Sequence, residues 1–178
     1  MQKLWLLIGL SLAAGAQEAP SCPATVSIQG LALGQRLEDV QKTFPRARAD
    51  RRTERIKLPW ESHFGEGIAT FPYIGINSSG EITTIALIFR GRGADSPVSD
   101  AMTMEEIIPA LAQRYHWPAA LEHWHIAPLM PPATARAEGY DPRAAVAHLY
   151  CPGYRVELSQ DFKKGRGAVG IRLALVKL

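Results

Sequence analysis

The sequence predicts an α+β fold in which two helix-then-antiparallel-strand units share one sheet. Two segments carry apolar residues at helical spacing, several others alternate apolar with polar residues, and the order helix then strands runs twice along the chain. Composition agrees, because 47% apolar and 21% charged residues describe an ordinary globular domain, while 15 Gly and 13 Pro favour turns over long helices.

Residues 1–16 read as a secretory signal. Lys3 supplies the basic start, Leu4 to Ala14 the apolar run, and Ala14-Gly15-Ala16 the small-residue cleavage site. The apolar run is too short for the roughly 20 residues a membrane helix needs, so no transmembrane span is expected. Lipidation of Cys22 is disfavoured, since Ala19-Pro20-Ser21 poorly matches the residues that precede a lipidated cysteine. Residues 17–178 then form one domain, with halves at about 25–92 and 100–178. Loss of Lys3 takes the formal net charge from +3 to +2. That mild balance gives no case for a nucleic-acid partner.

In the first half, Thr25 to Ile28 is a short strand and Gly30 to Gly34 a turn into a helix. Leu37, Val40 and Phe44 line one apolar helical face that Pro45 ends. Ile68 to Ile76 and Ile82 to Phe89, joined by Asn77-Ser78-Ser79-Gly80, read as a β-hairpin. Residues 91–99 are a loop.

In the second half, Thr103 and Glu106 form a capping box ahead of the stripe Ile107, Ile108, Leu111 and Tyr115. Pro109 within that stripe is expected to kink the helix or delay its start. Residues 126–143 hold Pro128, Pro131, Pro132 and Pro142 and read as an irregular connector. Ala145 to Cys151, Tyr154 to Gln160 and a last strand through Val169, Ile171, Leu173 and Leu175 make a three-stranded meander, with residues 163–167 as its second turn.

Four groups of residues invite a chemical reading. Cys22 and Cys151 are the only cysteines of a chain read as exported, so a disulfide is expected, the alternative being two buried thiols. Closing a loop of about 130 residues restricts the unfolded chain by at most about 4.9 kcal/mol. His116, His123 and His125 fall within ten residues and offer imidazoles to zinc or copper, or belong with Trp117 and Trp124 to an aromatic surface cluster. Arg46, Arg48, Arg51, Arg52, Arg55 and Lys57, offset by Asp50 and Glu54, are the one local charge bias. They are either a solvated loop or a basic edge that docks carboxylates or phosphates. Catalytic signatures are missing: there is no Gly-x-Ser-x-Gly elbow, and Glu38-Asp39 and Glu105-Glu106 sit in first helical turns where the macrodipole favours them. A small hydrolase using His123 or His125 as base, with Glu122 or Asp141 beside it, is the enzymatic alternative.

The stretch Ile28-Gln-Gly-Leu-Ala-Leu-Gly-Gln-Arg-Leu-Glu-Asp-Val40, closing on Phe44-Pro45, resembles the Gly-Met-Thr-x-x-Glu-Val helix opening of small exported bacterial modules. Among these are the outer-membrane assembly lipoprotein BamE and the β-lactamase inhibitory protein superfamily. The resemblance implies a helix-plus-meander unit, often duplicated, that binds other proteins and catalyses nothing. Gln35-Arg36 departs from the usual Ser or Thr cap, so no functional residue is carried over.

The sequence thus leads to the expectation of a periplasmic or secreted, non-catalytic module without a cofactor, binding a protein or anionic envelope component through a sheet face and the Arg46 to Lys57 edge. A periplasmic metal-binding protein using His116, His123 and His125 is the other alternative. Amino-terminal sequencing of the exported product should start at Gln17; a product that keeps Met1, or one that begins at a lipidated Cys22, contradicts the reading of residues 1–16.

Overall fold

A computed structural model describes residues 21–59, 64–65, 67–89, 96–99, 101–139, 144–160 and 170–178. The signal segment, most of the 91–99 loop and the 163–167 turn lie outside the described residues. In chain order the elements are β1 (Ser27–Ile28), β2 (Leu31–Ala32), α1 (Leu37–Thr43), β3 (Arg48–Asp50), β4 (Arg55–Lys57), β5 (Ile68–Ile76) and β6 (Ile82–Phe89). There follow α2 (Met104–Tyr115), a 3-10 turn at Leu121–His123, β7 (His125–Pro128), α3 (Pro132–Glu138), β8 (Ala145–Cys151), β9 (Tyr154–Gln160) and β10 (Ile171–Lys177).

Eight strands form one antiparallel sheet in the order β3-β4-β5-β6-β10-β9-β8-β7. The fold is therefore α+β and dominated by its sheet. The first half gives α1 and strands β3 to β6, the second gives α2, α3 and strands β7 to β10 with α3 between β7 and β8, and the last strands of the halves, β6 and β10, meet in the middle of the sheet. β1 and β2 pair separately as a small hairpin. Gln29 and Gly30 turn it with φ of 53° and 80°, the left-handed pair that a tight two-residue turn demands. Gly30 is also held by space, since a Cβ there would meet Thr43 Oγ1 of α1 at 2.7 Å.

Period-two alternation sends one set of side chains from the sheet into a single core. Ile85, Leu87 and Phe89 of β6 stand opposite Leu175, Leu173 and Ile171 of β10, and Leu173 and Leu175 stand opposite Leu158 and Val156 of β9. These side chains are buried together with Val40 of α1 and Met104, Ile107, Ile108, Leu111 and Tyr115 of α2. Burying each such Leu or Ile contributes about 1.5–3 kcal/mol. Helix α2 starts as its capping box directs: both halves of the box form, and Glu106 Oε2 accepts the Thr103 amide at 2.8 Å. Gln160 is the one described polar residue in the buried set; its side-chain amide donates to Met102 O at 2.6 Å, tying β9 to the approach of α2.

Two expectations need correction, and a third is narrowed. The Arg46 to Lys57 run is not merely a solvated loop, because Arg48–Asp50 and Arg55–Lys57 pair as β3 and β4 at the sheet edge. The 126–143 connector is not irregular: it holds β7 and α3. Pro128 is tolerated because Leu129 donates its amide to Ala144 O, which leaves the preceding pair, Pro128 opposite Ala145, at a position whose N–H would point away from β8. Of the two outcomes expected for Pro109, a kink or a delayed start, the delayed start is not found: α2 runs through Pro109 from Met104, with Pro109 on its exposed side.

Cys22 and Cys151 are disulfide-bonded with Cα atoms 5.6 Å apart across 129 residues of sequence. Beside the bond, the Tyr154 hydroxyl donates to Pro23 O at 3.0 Å, so the start of the described chain is tied twice to the β8–β9 hairpin. Thiol titration of the unfolded, unreduced protein should find no free cysteine. A Cys22→Ala, Cys151→Ala variant should lose about 2–4 kcal/mol of stability in denaturant titrations. Wild-type stability in that variant would show that the tie carries no load.

Candidate binding face of the sheet

Directly opposed residues of antiparallel strands share a face, so the register assigns every side chain that points away from the helices. One row crosses the sheet as Asp50, Arg55, Gly75, Thr84, Val176, Arg155 and Tyr150. A second row crosses as Tyr73, Ala86, Ala174, Glu157, His148 and His125. Arg48 and Lys57, and Arg172 between Ile88 and Ser159, belong to the same face. Its larger side chains are partly or wholly exposed, while the small central residues Gly75, Ala86 and Ala174 are buried between their neighbours. The face is thus a strip of small residues flanked by charged and aromatic ones.

Two arginine–tyrosine stacks flank the strip. On β4 and β5, Arg55 lies over the Tyr73 ring, 4.6 Å from its centroid. Tyr73 in turn lies across Gly75: a Cβ there would meet the ring at 2.7 Å, so only glycine leaves room for it. On β8 and β9, Arg155 lies over Tyr150 at 5.9 Å. The sheet order places these strand pairs at equivalent distances from the β6–β10 pair, one in each half. Each stack contributes about 0.5–1 kcal/mol at an exposed site, and more when a partner excludes water.

Charge on the face is biased. Arg48, Arg55, Lys57, Arg155 and Arg172 stand against Asp50 and Glu157. Lys57 Nζ reaches Asp50 Oδ2 at 2.7 Å, and Arg155 pairs with Glu157. Lys57, followed by hydrogen bonding from Thr53, holds the Asp50 carboxyl down to about 2, and Glu157 raises the Arg155 guanidinium above its ordinary value. Arg48, Arg55 and Arg172 make no ion pair among the described residues.

The Arg46 to Lys57 run is divided by the fold. Arg48, Arg55 and Lys57 join the open face. Arg51 and Arg52 occupy the β3–β4 turn, where Arg51 lines a groove of about 450 Å³ with Arg36, Glu38 and Glu54. Arg46 precedes β3 and has a partner of its own. The groove carries both signs of charge and gives no anion pocket. Arg155, Arg172, Tyr73 and Tyr150 were missed by the sequence reading, since a lone arginine in an alternating strand reads only as its wet side; register alone gathers them.

The histidines are also divided. His116 caps α2 in a left-handed conformation, His123 ends the 3-10 turn, and His125 begins β7. His123 and His125 therefore do not share an extended strand. Among the described residues no three His, Cys, Asp or Glu side chains gather around one point. Cys151 is held in its disulfide. His125 instead stands opposite His148 of β8, with its ring edge-on to Tyr150 at 5.8 Å. Glu122 is exposed on the 3-10 turn, and Asp141 lies outside the described residues.

No helix among the described residues is long and apolar enough to cross a membrane. No protein-family model, curated protein or solved structure matches the chain.

The Asp50–Lys57 pair gives a signed pH expectation. A carboxylate held below its ordinary value favours the folded hairpin above about pH 4, and that contribution fades as pH falls through about 2. An NMR titration of the Asp50 carboxyl should therefore show a midpoint near 2 that moves up toward the ordinary 3.8 in Lys57→Met. A midpoint unchanged by that substitution would remove Lys57 as the cause.

Proposed function

We propose that the protein is an exported, non-catalytic binding module, periplasmic or secreted, whose open sheet face docks an acidic protein or another anionic envelope component. The observation that carries this reading is the face itself: eight strands wide, flanked by an Arg–Tyr stack in each half, and holding five cations against two carboxylates. Aromatic and arginine side chains are the types that dominate binding energy at interfaces. Arginine also suits carboxylates, because its planar fork donates two parallel hydrogen bonds.

The helix-opening resemblance at Ile28 to Pro45 points the same way, toward modules that bind proteins. On this reading the two halves are copies of one unit, joined through their last strands, and each copy contributes one stack. Export rests on the signal-like residues 1–16 and accords with the disulfide.

The test compares crosslinked capture from the native envelope by wild type, by an Arg55→Glu, Arg155→Glu, Arg172→Glu variant, and by Arg136→Glu on the exposed side of α3. Recovery of the wild-type partner should collapse in the triple variant, persist in Arg136→Glu, and weaken with added salt, since exposed charges are screened over about 8 Å at 0.15 M. Equal recovery by the triple variant would move the docking surface off this face.

A further inference from the structure

We infer that His125 and His148 form a two-imidazole binding site for a divalent transition-metal ion, with Cu²⁺ the preferred occupant. The three histidines suggested by sequence do not gather, but the fold creates a different pair. His125 of β7 and His148 of β8 are directly opposed in register and lie on the open face, His125 exposed and His148 partly so.

Ladder alternation specifies the spacing. Leu129 donates its amide to Ala144 O, and counting back along the strand makes His125 and His148 a hydrogen-bonded pair. Such pairs hold their Cα atoms about 5.5 Å apart with both Cβ atoms leaving the same face. Imidazole nitrogens bind these metals at about 2.0–2.1 Å, so two rings rising from adjacent strands at that spacing can converge on one ion between them. The strands fix the backbone of both ligands, and the Tyr150 ring against His125 narrows the directions that side chain can take.

The surroundings select the class of ion. With no group of three ligating side chains among the described residues, the remaining coordination positions fall to water. That arrangement does not match the closed four-ligand site of structural zinc. It suits Cu²⁺, which accepts a tetragonal set of nitrogen and water ligands and stands highest in the divalent affinity order. Glu157 stands opposite His148 on its other side and is paired with Arg155. This site does not depend on the proposed docking role, and either stands if the other fails.

The test uses the full chain without an affinity tag, titrated with Cu²⁺ and followed by calorimetry and electron paramagnetic resonance. One ion per chain is expected, with a spectrum showing two equatorial imidazole nitrogens. His125→Ala and His148→Ala should each weaken binding by at least about tenfold, the order of loss that even an outer-shell change produces. His116→Ala and His123→Ala should leave it unchanged, and circular dichroism reports whether each variant is folded. No bound ion, a wild-type spectrum without two imidazoles, or binding that survives His125→Ala and His148→Ala overturns the assignment.

Discussion

The pairing of β6 with β10 is the constraint on which the rest of the structure depends. It joins the last strand of one half to the last strand of the other through six residue pairs, from Ile171 opposite Phe89 to Val176 opposite Thr84. Every second pair, Leu173 with Leu87 among them, is buried under the helices. A slip of one residue would turn Arg172 inward and Leu173 outward, so burial of one face fixes the register. The seam therefore makes two meanders into one sheet and gives that sheet a single inside.

The proposed docking role follows from what the seam leaves outside. The buried residues of α1 and α2 join the core on one face of the sheet, and on the other face the seam contributes the small, buried Ala86 and Ala174 at its centre. Larger side chains stand to either side, with arginine stacked on tyrosine in both halves. The edges are protected against unwanted pairing. β3 is only three residues long and carries Arg48, while β7 is four residues long and ends in Pro128. Charged, short edges serve this protection, whereas the Arg–Tyr stacks lie within the sheet.

Much of the fold was legible in the sequence because local signals were strong. β5 and β6 carry long β-branched and aromatic runs around an Asn-Ser-Ser-Gly turn, β8 and β9 flank Pro152-Gly153, and α1 and α2 show apolar stripes with clear stops. β3, β4 and β7 were not legible. Three or four residues are too few to show alternation, and arginines or prolines mask the little there is. The site was harder still. Arg55 meets Tyr73, and His125 meets His148, only through pairing between strands, and no residue-by-residue pattern encodes which strand lies beside which. The Cys22–Cys151 bond was the one long-range contact the sequence offered, because two cysteines permit a single pairing.

Native-state hydrogen exchange tests the role of the seam most directly. If β6 and β10 are the common support of both halves, their paired amides should be the slowest to exchange and should open only with global unfolding, while β3 and β7 at the edges exchange earlier. Exchange at the β6–β10 seam that precedes exchange within β5–β6 and β8–β9 would contradict the account, since it would show two meanders that hold themselves together and merely touch.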